Sequence, residues 1–342
     1  MNERSATSAA PVRPSWMKRL STRLGAENIG LILALVAVVT FFGVQSPQFL
    51  SADTFDSVAF QLPELGLLTL AMVMPIISGG INLSVTFTAN LCGLTLAWVL
   101  HANGGPDASP LAFILGSILA IGVGATTGLV MGPVIAYTSA HPILVSLSMM
   151  IFVRGLGEFL TRGADISGFP DFIQPIGHGS LGVVPIPLLI LILAVIAWHV
   201  LMTRTRLGFS TYMVGSNIEA ARYSGLPTRR VVTLIYVLSG AMCALAGIIM
   251  MARFNSVRVG HGESYLLITV LACFLGGVNP FGGFGKVVSV FLALVILQLL
   301  SSGLNLLGAS QHLATAIWGI MLVGVMILRW AAGQLKFLRI TR

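Results

Sequence analysis

Ten apolar runs, each close to the length that crosses a bilayer, leave this chain almost no room to be anything but a membrane protein. They fall at roughly 28–46, 62–80, 84–101, 111–137, 143–161, 185–202, 231–252, 264–278, 287–304 and 313–330, and a spanning helix needs ~20 mainly apolar residues. No interval between them can hold a separate water-soluble domain. Only 9% of the residues are charged, against ~25% in soluble domains. The fold class is therefore an all-α integral membrane protein of about ten transmembrane helices, some of them broken. The second and eighth runs are short and interrupted by Pro and Gly, so a re-entrant segment there would change the count.

Charge sets the orientation. Of 19 Lys and Arg, five lie in the N-terminal tail, five between Arg204 and Arg230, and four at Arg329, Lys336, Arg339 and Arg342. Ten spans with both termini in the cytoplasm put all fourteen on one face, as the positive-inside rule requires. Asp53, Asp56, Asp107, Asp165, Asp171 and Glu263 then collect on the other. The net charge of +8 reads as topology, not as a nucleic-acid footprint. The organisation expected is a cytoplasmic tail over 1–27, one transmembrane domain over 28–330 and a cytoplasmic tail over 331–342. Within the domain, 203–230 is a cytoplasmic loop and 161–184 an external one, ordered or carrying a short surface helix. No small-residue cleavage site follows the first run, which reads as an uncleaved span. Cys92, Cys243 and Cys273 sit in apolar runs and read as small buried hydrophobes.

The cytoplasmic loop carries its own signal. Ser216-Asn217-Ile218-Glu219 has capping-box spacing, with Ser216 as the cap and Glu219 reaching back to it. Gly225 supplies a left-handed stop, and Pro227 follows where a helix cannot continue. The helix between them is about two turns long, with Glu219 and Arg222 placed favourably for its dipole. So short a helix does not stand alone in water and needs a brace.

Two further stretches break the apolar pattern. Gly79-Gly80-Ile81-Asn82 is followed by Ser84, Thr86, Thr88 and Asn90, polar at every even position. Gly276-Gly277-Val278-Asn279, ahead of Phe281, repeats the Gly-Gly-(Ile/Val)-Asn pattern. Interrupted spans in both halves of a carrier point to a site near the bilayer midplane; helix-packing kinks are the competing reading. Gly124, Gly128 and Gly132 form a small-residue ridge for close helix packing. Among charges inside spans, Arg154 and Glu158 are spaced to pair on one helix face. Glu64, at the start of its run, reads as interfacial. No phosphate-binding loop, H-E-x-x-H or G-x-S-x-G is present, so this is a transport subunit rather than an enzyme. Its six dispersed histidines give no metal-ligand spacing. Any pumping energy must come from an ion gradient or another protein.

SGGINLSV (Ser78–Val85), VRG (Val153–Gly155), VGSNIEAARYSGLP (Val214–Pro227), YVLSGAMCALAGII (Tyr236–Ile249) and LGGVNPFGGFGK (Leu275–Lys286) together resemble the permease subunits of ribose-type monosaccharide ABC importers, over about residues 30–330. The resemblance implies a bacterial inner-membrane complex. This chain would pair with a second permease copy or a paralogue, two cytoplasmic ATPase domains that use ATP and Mg, and a periplasmic binding protein. It implies no cofactor bound by this chain. It also makes Asn217–Ser224 a coupling helix that docks on the ATPase, with Asn217, Glu219, Ala220, Ala221, Arg222, Ser224 and Gly225 as its working residues. Asn82, Ser84, Thr86, Asn90, Asn279 and Phe281 are the expected translocation path, and Gly79, Gly80, Gly276 and Gly277 the helix breaks. The family's commoner motif has Asp where this chain has Asn82, and a neutral polar path suits an uncharged, hydroxyl-rich solute. A nucleoside or branched-chain amino acid is the alternative cargo, and an ion-driven carrier the alternative mechanism.

Overall fold

The computed structural model describes residues 26–340; the expected N-terminal tail lies outside the described residues except for its last two positions. The main helices are α1 (Ala26–Gln45), α2 (Ala52–Ile77), α3 (Val85–Ala102), α4 (Pro110–Thr138), α5 (Pro142–Thr161), α6 (Ile186–Arg204), α7 (Arg206–Ser216), α8 (Ile218–Tyr223), α9 (Thr228–Phe254), α10 (Tyr265–Leu275), α11 (Val287–Leu306) and α12 (Gln311–Ile340). Every expected apolar run is helical. Eight of these helices are long and apolar enough to cross a membrane among the described residues. The exceptions are α10, whose 11 residues reach only about 16 Å at 1.5 Å per residue, and α12, whose apolar stretch is His312–Ile327.

The second run is not short. α2 begins at Ala52, where the Ser51 hydroxyl accepts from the Thr54 amide, and continues for 26 residues through Pro63 and Pro75. Its polar first turns hid it from a hydropathy reading. α2 is the hub of the molecule: 89% of its apolar window is buried inside the protein, enclosed by α6, α9, α10 and α11. Such a helix meets protein rather than lipid.

The α4–α9 contact is the closest helix pairing. A Cβ at Gly124 would meet the Gly240 carbonyl, one at Gly128 the Tyr236 carbonyl, and one at Gly132 the Thr233 backbone. The expected glycine ridge is therefore a backbone-to-backbone seam. Gly128→Val places three heavy atoms where carbonyls already sit. We expect it to cost several kcal/mol, beyond the ~1–3 kcal/mol of ordinary overpacking because backbone cannot yield, read as loss of a monodisperse peak on size exclusion in detergent.

The loop before α6 is ordered, as expected. It holds a one-turn helix at Gln174–His178 and the hairpin Ser180–Leu181 with Val184–Pro185. Ile166–Ser167 pairs antiparallel with Ser256–Val257. The segment between α9 and α10 then turns inward. Asn90, about 8 Å from the first turn of α3, donates through Nδ2 to the carbonyls of Val259 and, at 2.9 Å, His261. This re-entrant loop takes the place of the outer half of the eighth span. Irregular backbone at that depth persists because protein, not lipid, surrounds it.

Candidate functional site

The loop after α6 folds into α7 and α8, a helical elbow. α8 is 6 residues long, with Glu219 in its first turn and Arg222 in its last; the two pair at 3.3 Å on the exposed surface. Its cap is Asn217, not Ser216: the Asn217 Oδ1 accepts from the Ala220 amide at 2.9 Å. Ser216 is the last residue of α7, so the capping-box spacing misplaced the cap by one residue. Glu219 turns outward to Arg222 instead of back to Ser216. The stop is as expected, with Gly225 left-handed at φ +80. The Gly225 amide donates to Arg222 O and the Leu226 amide to Ala221 O, the paired bonds of a Schellman motif.

The brace is internal. Ala221 is fully buried against the core, whereas Ile218 is 48% and Tyr223 88% exposed. A six-residue helix thus turns one of its two alanines inward and two large apolar side chains to solvent. The working residues expected from the sequence include Ala220 and Ala221 but neither Ile218 nor Tyr223. The signal was there: bulky apolar residues in a charged loop have no burial reason of their own.

The two glycine breaks are built alike. After α2, the amides of Gly79 and Gly80 donate to Ile76 O and Pro75 O; after α10, those of Gly277 and Val278 donate to Phe274 O and Cys273 O. Both are Schellman caps with glycine left-handed, φ +85 at Gly79 and +90 at Gly277, a conformation other residues enter at a cost. The asparagine that follows makes the same turn each time. Asn82 Oδ1 accepts from the Ser84 amide at 3.1 Å, and Asn279 Oδ1 from the Phe281 amide at 3.2 Å. The four-residue repeat in the sequence is a repeat of structure.

The breaks also meet one another. The Gly283 amide donates to Ile77 O at 2.8 Å, a Cβ at Gly282 would strike Gly79, and one at Gly215 would strike Ile77 O. Tyr212 of α7 donates to Gly285 O at 2.7 Å, and burial raises its phenol pKa so that the proton stays on. Gly79–Gly80 and Gly276–Gly277 therefore lie at the end of α2 and α10 that touches the α7–α8 elbow. They end their helices there instead of interrupting spans at mid-depth. Phe281 is exposed on this side.

Asn82, Ser84, Thr86 and Asn90 are all buried. Asn82 Nδ2 donates to Ser239 Oγ at 2.9 Å, Ser239 donates on to Ala71 O, and Ser84 Oγ donates back to Asn82 Oδ1 at 2.7 Å. Among the described residues, Thr86 Oγ1 has no partner. From Val85 onward these residues are helical, so they do not share a single extended face. Asn82→Leu leaves Ser84 and Ser239 without that partner. At about 1–3 kcal/mol per buried group left unpaired, we expect a clearly lower thermal midpoint in detergent.

Glu64 is not interfacial. It lies about three turns into α2, wholly buried, ion-paired with Arg253 at the end of α9. The Tyr265 hydroxyl, at the start of α10, donates to Glu64 Oε2 at 3.2 Å. α2, α9 and α10 are pinned together at this point. Arg154 pairs with Glu158 at 3.0 Å, as its spacing predicts, and also with Glu263 at 3.1 Å. All three side chains are about half exposed.

Comparison with known proteins decides what this architecture is. Residues 54–326 match the model of the branched-chain amino acid transport system permease component family. The chain belongs to that family. It is a multi-pass permease subunit of an ABC importer and not an enzyme; ATP hydrolysis is the work of a separate ATPase, and a periplasmic binding protein belongs to such systems. Among its relatives are permease proteins of autoinducer 2 import systems. The one from Yersinia enterocolitica is 31% identical over 89% of this chain and 92% of its own length. That of Salmonella typhi is 30% identical over 88% and 90%, and that of Photorhabdus temperata 29% identical over 89% and 91%. No solved structure matches.

Proposed function

We propose that this permease carries a small, neutral, hydroxyl-rich solute of the sugar type across a bacterial inner membrane, as one of two permease subunits, and that α8 is where the partner ATPase drives it. The observation that carries the coupling role is the elbow itself: an apolar-tipped helix, braced by Ala221, joined through Gly215 and Gly283 to both glycine breaks. A push on α8 passes through backbone contacts to the ends of α2 and α10. Ten crossings with both termini inside keep the arginines of the elbow on the cytoplasmic face. Residues 1–27 and 331–342 are then cytoplasmic, 203–230 the coupling loop and 161–184 external. ATP and Mg act on the ATPase, with no cofactor on this chain.

The cargo reading rests on the relatives named for autoinducer 2 import and on the neutral polar run from Asn82 to Asn90. The Asn82–Ser84–Ser239 network sits directly behind the break. It would join the path, with Thr86, Asn90, Asn279 and Phe281, when α2 and α10 move apart. Two half-exposed charges on the spanning helix α5, Arg154 and Glu158, joined by Glu263 from the loop before α10, are costly in lipid, which favours water or a second permease subunit against the α5 face carrying Arg154. The family's own description favours a branched-chain amino acid as second cargo.

The test is reconstitution of this chain with its partner ATPase and binding protein. Uptake is expected to require ATP and to fall to background with Glu219→Arg plus Ala220→Asp. Uptake by this chain alone on a proton or sodium gradient would overturn the ATP-driven reading. Thermal shifts of the binding protein with monosaccharides and with branched-chain amino acids separate the two cargoes.

A further inference from the structure

Two surface features lie beside the elbow, and one face of α4 runs from the first to the second. The first is a basic cleft of about 540 Å³ in which Arg222, Arg229 and Arg230 face Tyr137. The Arg229 guanidinium lies 4.9 Å above the Tyr137 ring. Among the described residues no carboxylate pairs with Arg229 or Arg230. The second is an apolar groove of about 760 Å³ between α4 and α5, lined by Val123, Val130 and Val134 on one wall and Val145 and Phe152 on the other. Thr126, Val130, Val134 and Tyr137 recur at helical spacing, so the tyrosine continues the face of α4 that forms the groove. From Val123 to Val134, the α4 wall of the groove, the helix rises about 17 Å, close to the ~15 Å depth of one leaflet, half of a ~30 Å hydrocarbon core.

We propose that cleft and groove together hold one anionic phospholipid, its phosphate in the arginine cleft and an acyl chain along α4. Charge complementarity selects the headgroup: three guanidiniums with one carboxylate, Glu219, among them, Arg229 and Arg230 in the first turn of the spanning helix α9 and Arg222 on α8 beside it, at the level where headgroups lie. Tyr137 has the amphipathic ring that settles at that level. The groove selects a lipid over a soluble phosphate, since its walls offer almost nothing polar to an anion. The occupied site would bridge the last turn of α4 and the first turn of α9, next to α8. This inference does not depend on the cargo or on the ATPase.

Native mass spectrometry of the full chain, released from detergent with equal palmitoyl-oleoyl phosphatidylglycerol and phosphatidylcholine, tests it. At ~1 kcal/mol per arginine near the headgroup, the wild type is expected to keep phosphatidylglycerol about tenfold or more in preference. Arg229→Gln with Arg230→Gln is expected to bring the two lipids to parity. Val130→Trp, which fills the groove away from the arginines, is expected to lower retention of phosphatidylglycerol at least severalfold. Thr126→Phe serves the same purpose if the tryptophan variant does not fold. Equal retention of both lipids by the wild type, or indifference to the double arginine variant, would overturn the proposal. So would displacement of phosphatidylglycerol by equimolar inorganic phosphate, which means an anion site without a chain. A two-copy species lost in Val130→Trp with lipid retention unchanged would assign the groove to a second subunit.

Discussion

Glu64→Ala should be the most damaging single substitution in the outer half of the molecule. Removing one member of a buried ion pair leaves the other uncompensated, at about 3–5 kcal/mol. Arg253 is then stranded with its side chain only 17% exposed, and Tyr265 loses the acceptor for its hydroxyl. α10 is affected most, because Tyr265 is its first residue and it is too short to be held by a full span. The expected readout is a lower thermal midpoint in detergent, together with earlier protease cleavage between Asn255 and Ser264. The double variant Glu64→Leu with Arg253→Leu separates pairing from packing. Apolar replacement of a buried pair is often neutral, so it should recover most of the loss. If the double variant is as unstable as Glu64→Ala, the pair is not what holds this corner.

The placing of the helices was legible because hydropathy runs are long-range, redundant signals: losing a few residues from α4 or α9 would not hide either. The exceptions have physical causes. α2 began ten residues early because a hub helix enclosed by protein can tolerate polar turns that a lipid-facing helix cannot. The short eighth run signalled a re-entrant segment but not its path, because what secures it, Asn90 to Val259 and His261, joins residues far apart in sequence. The Glu64–Arg253 pair was hidden for the same reason. Local features fared better. Gly225 and the two glycine repeats could be read because a left-handed cap depends on neighbouring residues alone. The cap of α8 was misread by one position, where Ser216 and Asn217 are both good caps and only the end of α7 chooses between them. The direction in which each side chain of α8 points was not legible, and that is what assigns the docking surface.

Ile218→Asp with Tyr223→Asp tests that surface without touching the fold. Both side chains project into solvent, Tyr223 at 88% and Ile218 at 48%, so the thermal midpoint of the isolated chain should hardly move. Surface changes of this kind usually stay within ~0.5 kcal/mol. Seated in the groove of a partner, each would be a buried apolar anchor of the kind that costs ~2 kcal/mol or more when removed. Two such losses amount to several hundredfold in affinity at ~1.4 kcal/mol per factor of ten. ATP-dependent uptake should fall to background while the subunits still sit in the membrane. Glu219→Gln is the contrasting case. Its pair with Arg222 is exposed at 3.3 Å, and an exposed pair contributes ~0–1 kcal/mol, so its loss alone should leave uptake within severalfold of wild type. Ala221→Leu separates brace from contact: it strikes the core behind the helix and should lower both midpoint and uptake. A docking helix predicts these three different outcomes. A loop that only connects α6 to α9 would show no loss of uptake in the aspartate pair, and that result would remove α8 from the route by which ATP hydrolysis reaches α2 and α10.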